Sequence, residues 1–415
     1  MKVFQTLQPE QRRNLLFLFV AGLLFWSSLA SMLPTLSLYI KDTGASDFEV
    51  GVVMGAFAIG LLVFRPWLGR LADQRDRKLV LYIGLAAVAI APLGYLMTQS
   101  IPLLIAVRAF HGLSIAAFAT GFSALVADLA PPQSRGEIIG YMTLVNPVGV
   151  ALGPALGGFL QEWAGYTPLF LVSAGLGIAG ILVIHQLHKP PVATQLTQEE
   201  RSRAEPFWRL LASPRLRIPA LVLALIGVAF GTLAIFVPLF IKESGINLNP
   251  GLFYTAAAIA SFAVRILVGR ASDQFGRGRF ITGSLVLYTT ALALLAIAHS
   301  APIFLLAGFL EGAGGGILLP MMIALAADRS SPQERGRIFG LVLAGFDLGM
   351  ALAGPLFGYL AFHLGYQGLF SLTAMLSMLA LLIFVGFSGK SFAHSLSFSL
   401  GRGHDNYALT KGSSS

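Results

Sequence analysis

The chain has 415 residues, 56% of them hydrophobic and only 11% charged, with a mean hydropathy of +0.77. That composition cannot supply a soluble surface, so lipid must solvate most of the chain. The formal charge of +9 would suit nucleic acid, but the basic residues are placed for another purpose, and the lack of cysteine excludes disulfides, thiolate metal sites and cysteine nucleophiles.

Twelve apolar runs are long enough to cross a bilayer as helices: 15–39, 50–69, 79–98, 102–127, 137–160, 167–187, 217–241, 251–269, 280–299, 301–327, 337–361 and 367–388. The first follows Arg12 and Arg13 in the manner of a signal peptide, but eleven more come after it, so it is read as a retained crossing. Residues 1–187 are expected to form an N-terminal six-helix half and residues 217–389 a C-terminal one. Between them, 188–216 carries Pro190, Pro191, Glu199, Glu200, Arg201 and Arg203, which makes it a polar linker. Residues 390–415 are expected as a tail without fixed structure.

All Lys and Arg residues except Lys41, Arg65, Arg108, Lys242 and Arg265 fall in the termini, the central linker and four short connections that share one side. The positive-inside rule therefore puts both termini and the linker in the cytoplasm. The charge is a topology signal, and no nucleic-acid partner is expected. Two stretches 200 positions apart repeat one another: Arg65, Gly69, Arg70, Asp73, Gln74 and Arg77 recur as Arg265, Gly269, Arg270, Asp273, Gln274 and Arg277. Gly112, Asp128, Arg135, Gly149, Gly158, Gly165 and Tyr166 match in the same register. Six crossings separate the copies, an even number, so the halves are parallel repeats related by an axis along the membrane normal. The expected fold class is an all-α polytopic membrane protein of twelve transmembrane helices in two six-helix repeats.

These residues resemble the major facilitator superfamily over the chain up to about residue 388. Gly69 to Lys78 is similar to the family's motif between its second and third helices, and Gly269 to Arg279 to its second copy. Leu104 to Gly112 resembles the fourth-helix motif, with Arg108 inside the membrane. Gly149 to Gly158 resembles the fifth-helix motif of the drug:proton antiporter branch. One departure is Asp76, where the family pattern has glycine and the second copy keeps Gly276. Aspartate tolerates a left-handed backbone better than most residues, so a turn is still expected there.

The resemblance implies a cytoplasmic gate made of Gly69, Asp73, Arg77, Asp128 and Arg135 and their repeats Gly269, Asp273, Arg277, Asp328 and Arg335. The bland alternative is capped, basic turns. Ionisable groups within the membrane are functional candidates by default: Arg108 and His111 in the fourth run, Glu311 in the tenth at the position matching His111, and Asp347 in the eleventh. Glu311 and Asp347 are expected to alternate between a proton and substrate or Arg108, against the alternative of static interhelical bonds. His111 is more readily a packed residue than a proton relay. Gly149, Gly153, Pro154, Gly157, Gly158, Gly354 and Pro355 permit close helix approach or a hinge. Trp26 and Phe346 are the aromatic residues best placed for substrate, while Phe110 and Phe118 are expected to face lipid or the core.

The leading expectation is a secondary transporter that exports a small, amphipathic molecule in exchange for protons by alternating access. The alternatives are a facilitator or symporter for a polar solute and, more distantly, a non-transporting receptor. No cofactor or metal is expected, the proton gradient being the energy source, and no triad or phosphate loop points to an enzyme. The partners expected are a small-molecule substrate, protons and the lipid bilayer, with the chain a monomer in a bacterial inner membrane.

Overall fold

The computed structural model describes residues 7–131, 134–187, 213–268, 275–330 and 335–408. Among them every regular element is helical. In chain order these are α1 (Pro9–Ser31), α2 (Leu36–Asp42), α3 (Asp47–Gln74), α4 (Arg77–Met97), α5 (Ile101–Leu129), α6 (Arg135–Met142), α7 (Val145–Ala164) and α8 (Tyr166–His185). Then come α9 (Pro214–Glu243), α10 (Pro250–Val268), α11 (Arg277–Ala296), α12 (Ala301–Asp328), α13 (Arg335–Phe387) and α14 (Phe392–Ser399).

Ten helical stretches of the described residues are long and apolar enough to cross a membrane. The longest, in α13, holds two crossings merged across Gly365 at φ 64°, and α10 supplies a further 19-residue helix, which completes the expected twelve. Gly365 repeats Gly165, whose φ of 83° separates α7 from α8, so the same left-handed residue turns both repeats. Two expected crossings are divided. The run 15–39 breaks between α1 and α2 at Pro34, and 137–160 breaks between α6 and α7 just before Pro147, because proline cannot donate to the carbonyl four residues back.

The chain forms two compact units, one of Met1–Gln195 with Ala234–Ala258 and one of Leu196–Leu233 with Ile259–Ser415. The division thus departs from a simple cut at the linker. Residues 234–258 join the first unit because Lys242 Nζ lies 2.6 Å from Asp42 and the Asn249 amide donates to Glu162 at 2.6 Å. Gly251 also lies so close to the Pro154 carbonyl that a side chain would overlap it.

In the first unit α5 packs between α3 and α4, and α1 packs against α7 and α8. Leu18, Phe25, Leu85, Phe118 and Phe122 build its core, with the rings of Phe25 and Phe118 stacked at 3.9 Å. Phe118 is therefore a packing residue, whereas Phe110 is exposed on the outer surface of the helix. In the second unit α11 packs against α12 and α13.

Residues 390–408, expected as a tail without fixed structure, instead carry α14 and a folded turn. Ser391 caps the helix by accepting from His394 N, and Asp405 pairs with the fully buried Arg329. Composition concealed this because the segment's order depends on a partner 76 positions away.

Candidate functional site

The first cluster of buried charge is built around α5. A Cβ on Gly112 would overlap the Phe57 carbonyl, and one on Gly60 would overlap that of Ala109, so only glycine lets α3 and α5 approach this closely. That approach sets the Arg108 guanidinium over the Phe57 ring, 4.4 Å from its centroid, with the side chain 8% exposed. The ring face partly replaces the hydration the cation has lost. One turn on, His111 is fully buried, with Nδ1 3.4 Å from Arg108 Nη1 and 3.1 Å from the Tyr95 hydroxyl of α4. Arginine can only donate, so Nδ1 accepts and the hydrogen is assigned to Nε2. Among the described residues neither His111 Nε2 nor Arg108 Nε has a hydrogen-bond partner. The cluster is chemically a donor site, suited to an anionic or carbonyl-bearing group.

The second unit places a carboxyl at the matching position. Glu311, on α12, is 9% exposed, and its carboxylate and the ring of Tyr288 on α11 both lie within 4 Å of where a Cβ on Gly315 would stand, the Tyr288 hydroxyl having no hydrogen-bond partner among the described residues. Gly314 brings α12 close to the backbone of α11 at Ser284, and Gly316 brings it close to Ser261 of α10. Among the described residues of its unit no ion pair to Glu311 occurs. Each unit thus sets a tyrosine from the helix before against the ionisable residue at this position, although Tyr95 and Tyr288 do not themselves correspond in the repeat. Asp347 is buried on α13, and neighbouring Phe346 is half-buried with its ring 5.5 Å from that of Phe230. In the first unit Trp26 is half-buried on α1, edge-on to Phe25 at 5.4 Å.

In the first unit Arg77 pairs with Asp128, and in the second Arg277 pairs with Asp328. Each arginine sits at a helix N-terminus and each aspartate at a C-terminus, where the macrodipole disfavours it, and the pairing offsets both placements. Gly269 and Asp273 lie outside the described residues. Asp73, Arg135 and Arg335 are placed by backbone alone, in α3, α6 and α13, while Gly69 has open space around it.

Asp76 corrects the expectation of a left-handed turn. It has φ −153° and caps α4, its carboxylate accepting from Lys78 N at 2.8 Å, whereas Gly276 at φ 83° does require glycine. The two copies therefore start their third crossing by different local chemistry.

The small residues of α7 form a seam. Gly149 lies against Trp26 and Ser27, Gly153 against Ala30, Gly157 against the Ser31 carbonyl and Gly158 against Asn249 and Gly251. Both α7 and α13 run on through Pro154 and Pro355, with Gly354 buried beside the latter. Sequence reasoning missed Phe57, Tyr95, Tyr288 and Arg329. The tyrosines had a usable signal, since a phenol at membrane depth needs a polar neighbour, but nothing in the sequence singled out Phe57.

The sequence pattern of the Major Facilitator Superfamily matches residues 16–270 and 249–397. The chain is 26% identical over 376 residues to the multidrug resistance protein MdtG of Serratia proteamaculans, covering 88% of this chain and 91% of that one. Among solved structures, the nucleoside transporter NupG is similar with a TM-score of 0.75 at 16% identity, covering 89% of this chain and 97% of that one. The human organic anion transporter MFSD10 gives a TM-score of 0.67 at 20% identity, covering 91% and 100%. These two likenesses bear on the fold alone.

Proposed function

This chain belongs to the Major Facilitator Superfamily and is a multi-pass membrane transporter of small molecules, and we propose that it exports amphipathic compounds in exchange for protons. Export is supported by the relatives named as multidrug resistance proteins and by the glycine seam of α7. The observation that carries proton coupling is the buried Glu311 carboxyl, which lies beside the Tyr288 ring and forms no ion pair among the described residues of its unit. A carboxyl in such a place can exchange a proton for substrate without breaking a salt bridge. Arg108 and His111 offer donors to an acceptor on the substrate, and Trp26 and Phe346 offer it aromatic surface. Asp347 is a second proton-carrying candidate.

In this reading both termini lie in the cytoplasm of a bacterial cell and the basic face is the inner one. The gate residues Asp73 and Arg135 lie close in sequence to the Arg77–Asp128 pair, and Asp273 and Arg335 are their sequence repeats beside Arg277–Asp328. The chain works as a monomer without a cofactor.

The test is proton-driven uptake of a panel of fluorescent amphipathic dyes into inverted vesicles, comparing the wild type with Glu311→Gln and Asp347→Asn. Glu311→Gln should abolish accumulation driven by the proton gradient while leaving downhill dye movement. If both variants keep full coupling at equal membrane abundance, the assignment of the proton carrier fails.

A further inference from the structure

The helix after the last crossing has three distinct faces. Ser395, Phe398 and Ser399 are buried against the protein. Phe392, Leu396 and Leu400, four residues apart and so on one stripe, are exposed, Phe392 by 67%. His394 and Ser397 make a polar third face. A helix with only one side on the protein has no use for three large apolar residues on another unless something apolar covers them.

The rotation of α14 is fixed. A Cβ on Gly278 would overlap the Phe398 carbonyl, so the helix lies directly on the first turn of α11. Gly401, at φ 73°, ends it and folds the chain back. Arg329 clamps the returning segment. Its Nε and Nη2 donate to the Asp405 carboxylate at 2.7 and 3.0 Å, and the guanidinium lies 5.1 Å from the Tyr407 ring.

We propose that residues 388–408 form a strap docked on the bilayer surface, with Phe392, Leu396 and Leu400 laid into the leaflet on the basic face. Position favours lipid as the occupant. Only four residues, 388–391, separate α14 from the final crossing, whose last residue, Phe387, is itself 65% exposed. The apolar stripe therefore continues the lipid-facing surface at the depth where the crossing leaves the membrane. Charge favours it too: α14 carries no acidic residue, and Lys390 and Arg402 flank it where anionic headgroups lie. The inference needs the final crossing to span a bilayer and is independent of the direction or coupling of transport.

The natural chain has no cysteine, so a single cysteine reports one position. Phe392→Cys, Leu396→Cys and His394→Cys, each labelled with an environment-sensitive fluorophore, are placed in nanodiscs of phosphatidylcholine and phosphatidylglycerol. Leu182→Cys, exposed on a crossing, is the lipid-facing control. Labels at 392 and 396 should be quenched by a doxyl lipid nearly as strongly as the control, and by aqueous iodide several-fold less than the label at 394. Equal iodide access at all three positions would overturn the proposal. Shielding of 392 and 396 from both quenchers would overturn it as well, by putting protein over the stripe. Dye transport is not the readout, so the result stands apart from the fate of the export reading.

Discussion

Arg329→Ala should destabilise the protein by about 3–5 kcal/mol, the cost of removing one partner from a buried ion pair. The guanidinium has no solvent exposure, and besides its two bonds to Asp405 it donates to the carbonyls of Arg215 and Ser388, both at 2.8 Å. It therefore joins the start of α9, the end of α12, the end of α13 and the folded tail. Alanine would leave the Asp405 carboxylate, 10% exposed, with the Tyr407 amide at 3.0 Å as its remaining hydrogen bond among the described residues. Asp405→Ala should also destabilise, since it leaves the buried guanidinium with carbonyls and aromatic faces but no counter-charge among the described residues. The double variant should fall short of the sum of the singles by about 0.5–3 kcal/mol, as for groups in direct contact. Denaturant unfolding in mild detergent, followed by tryptophan fluorescence, measures all three. A cost below about 1 kcal/mol for Arg329→Ala, or strict additivity, would refute the clamp.

Three further outcomes can be checked in the same unfolding assay. Gly157→Ala should cost about 1–3 kcal/mol because its methyl group meets the Ser31 backbone, while Gly140→Ala, with open space around it, should be neutral or mildly stabilising. Asp76→Ala should cost about 1 kcal/mol through loss of the α4 cap, and Asp76→Gly only a few tenths, so equal losses would discredit the capping role. Tyr95→Phe should cost about 1–3 kcal/mol by taking a buried hydrogen bond from His111, and a neutral result would mean that Nδ1 is satisfied by Arg108 alone.

The repeat, the twelve crossings and the family motifs were legible because each leaves a mark in sequence order: apolar length, basic punctuation and a 200-residue register. Arg108, His111, Glu311 and Asp347 stood out for the same reason, being ionisable residues inside apolar runs. Their neighbours did not. Phe57 becomes notable only when Gly60 and Gly112 bring α3 against α5, and Tyr288 only when Gly314 and Gly316 draw α12 into its unit. The expected left-handed turn at Asp76 follows from reading the motif as one backbone geometry in both copies. The dihedral angles instead show a cap in one copy and a left-handed glycine in the other.

Lipid imposes the same demands on any chain, namely that backbone groups be satisfied within helices and that positive charge be held to one side, and these are the features that residue order alone reveals. Such constraints act residue by residue, so composition and spacing suffice to read them. It took the folded chain to show that residues 234–258 join the first unit and that Arg329 orders a tail 76 positions away. These are pairings between distant segments, set by how closely helices can approach, and no local pattern encodes that distance.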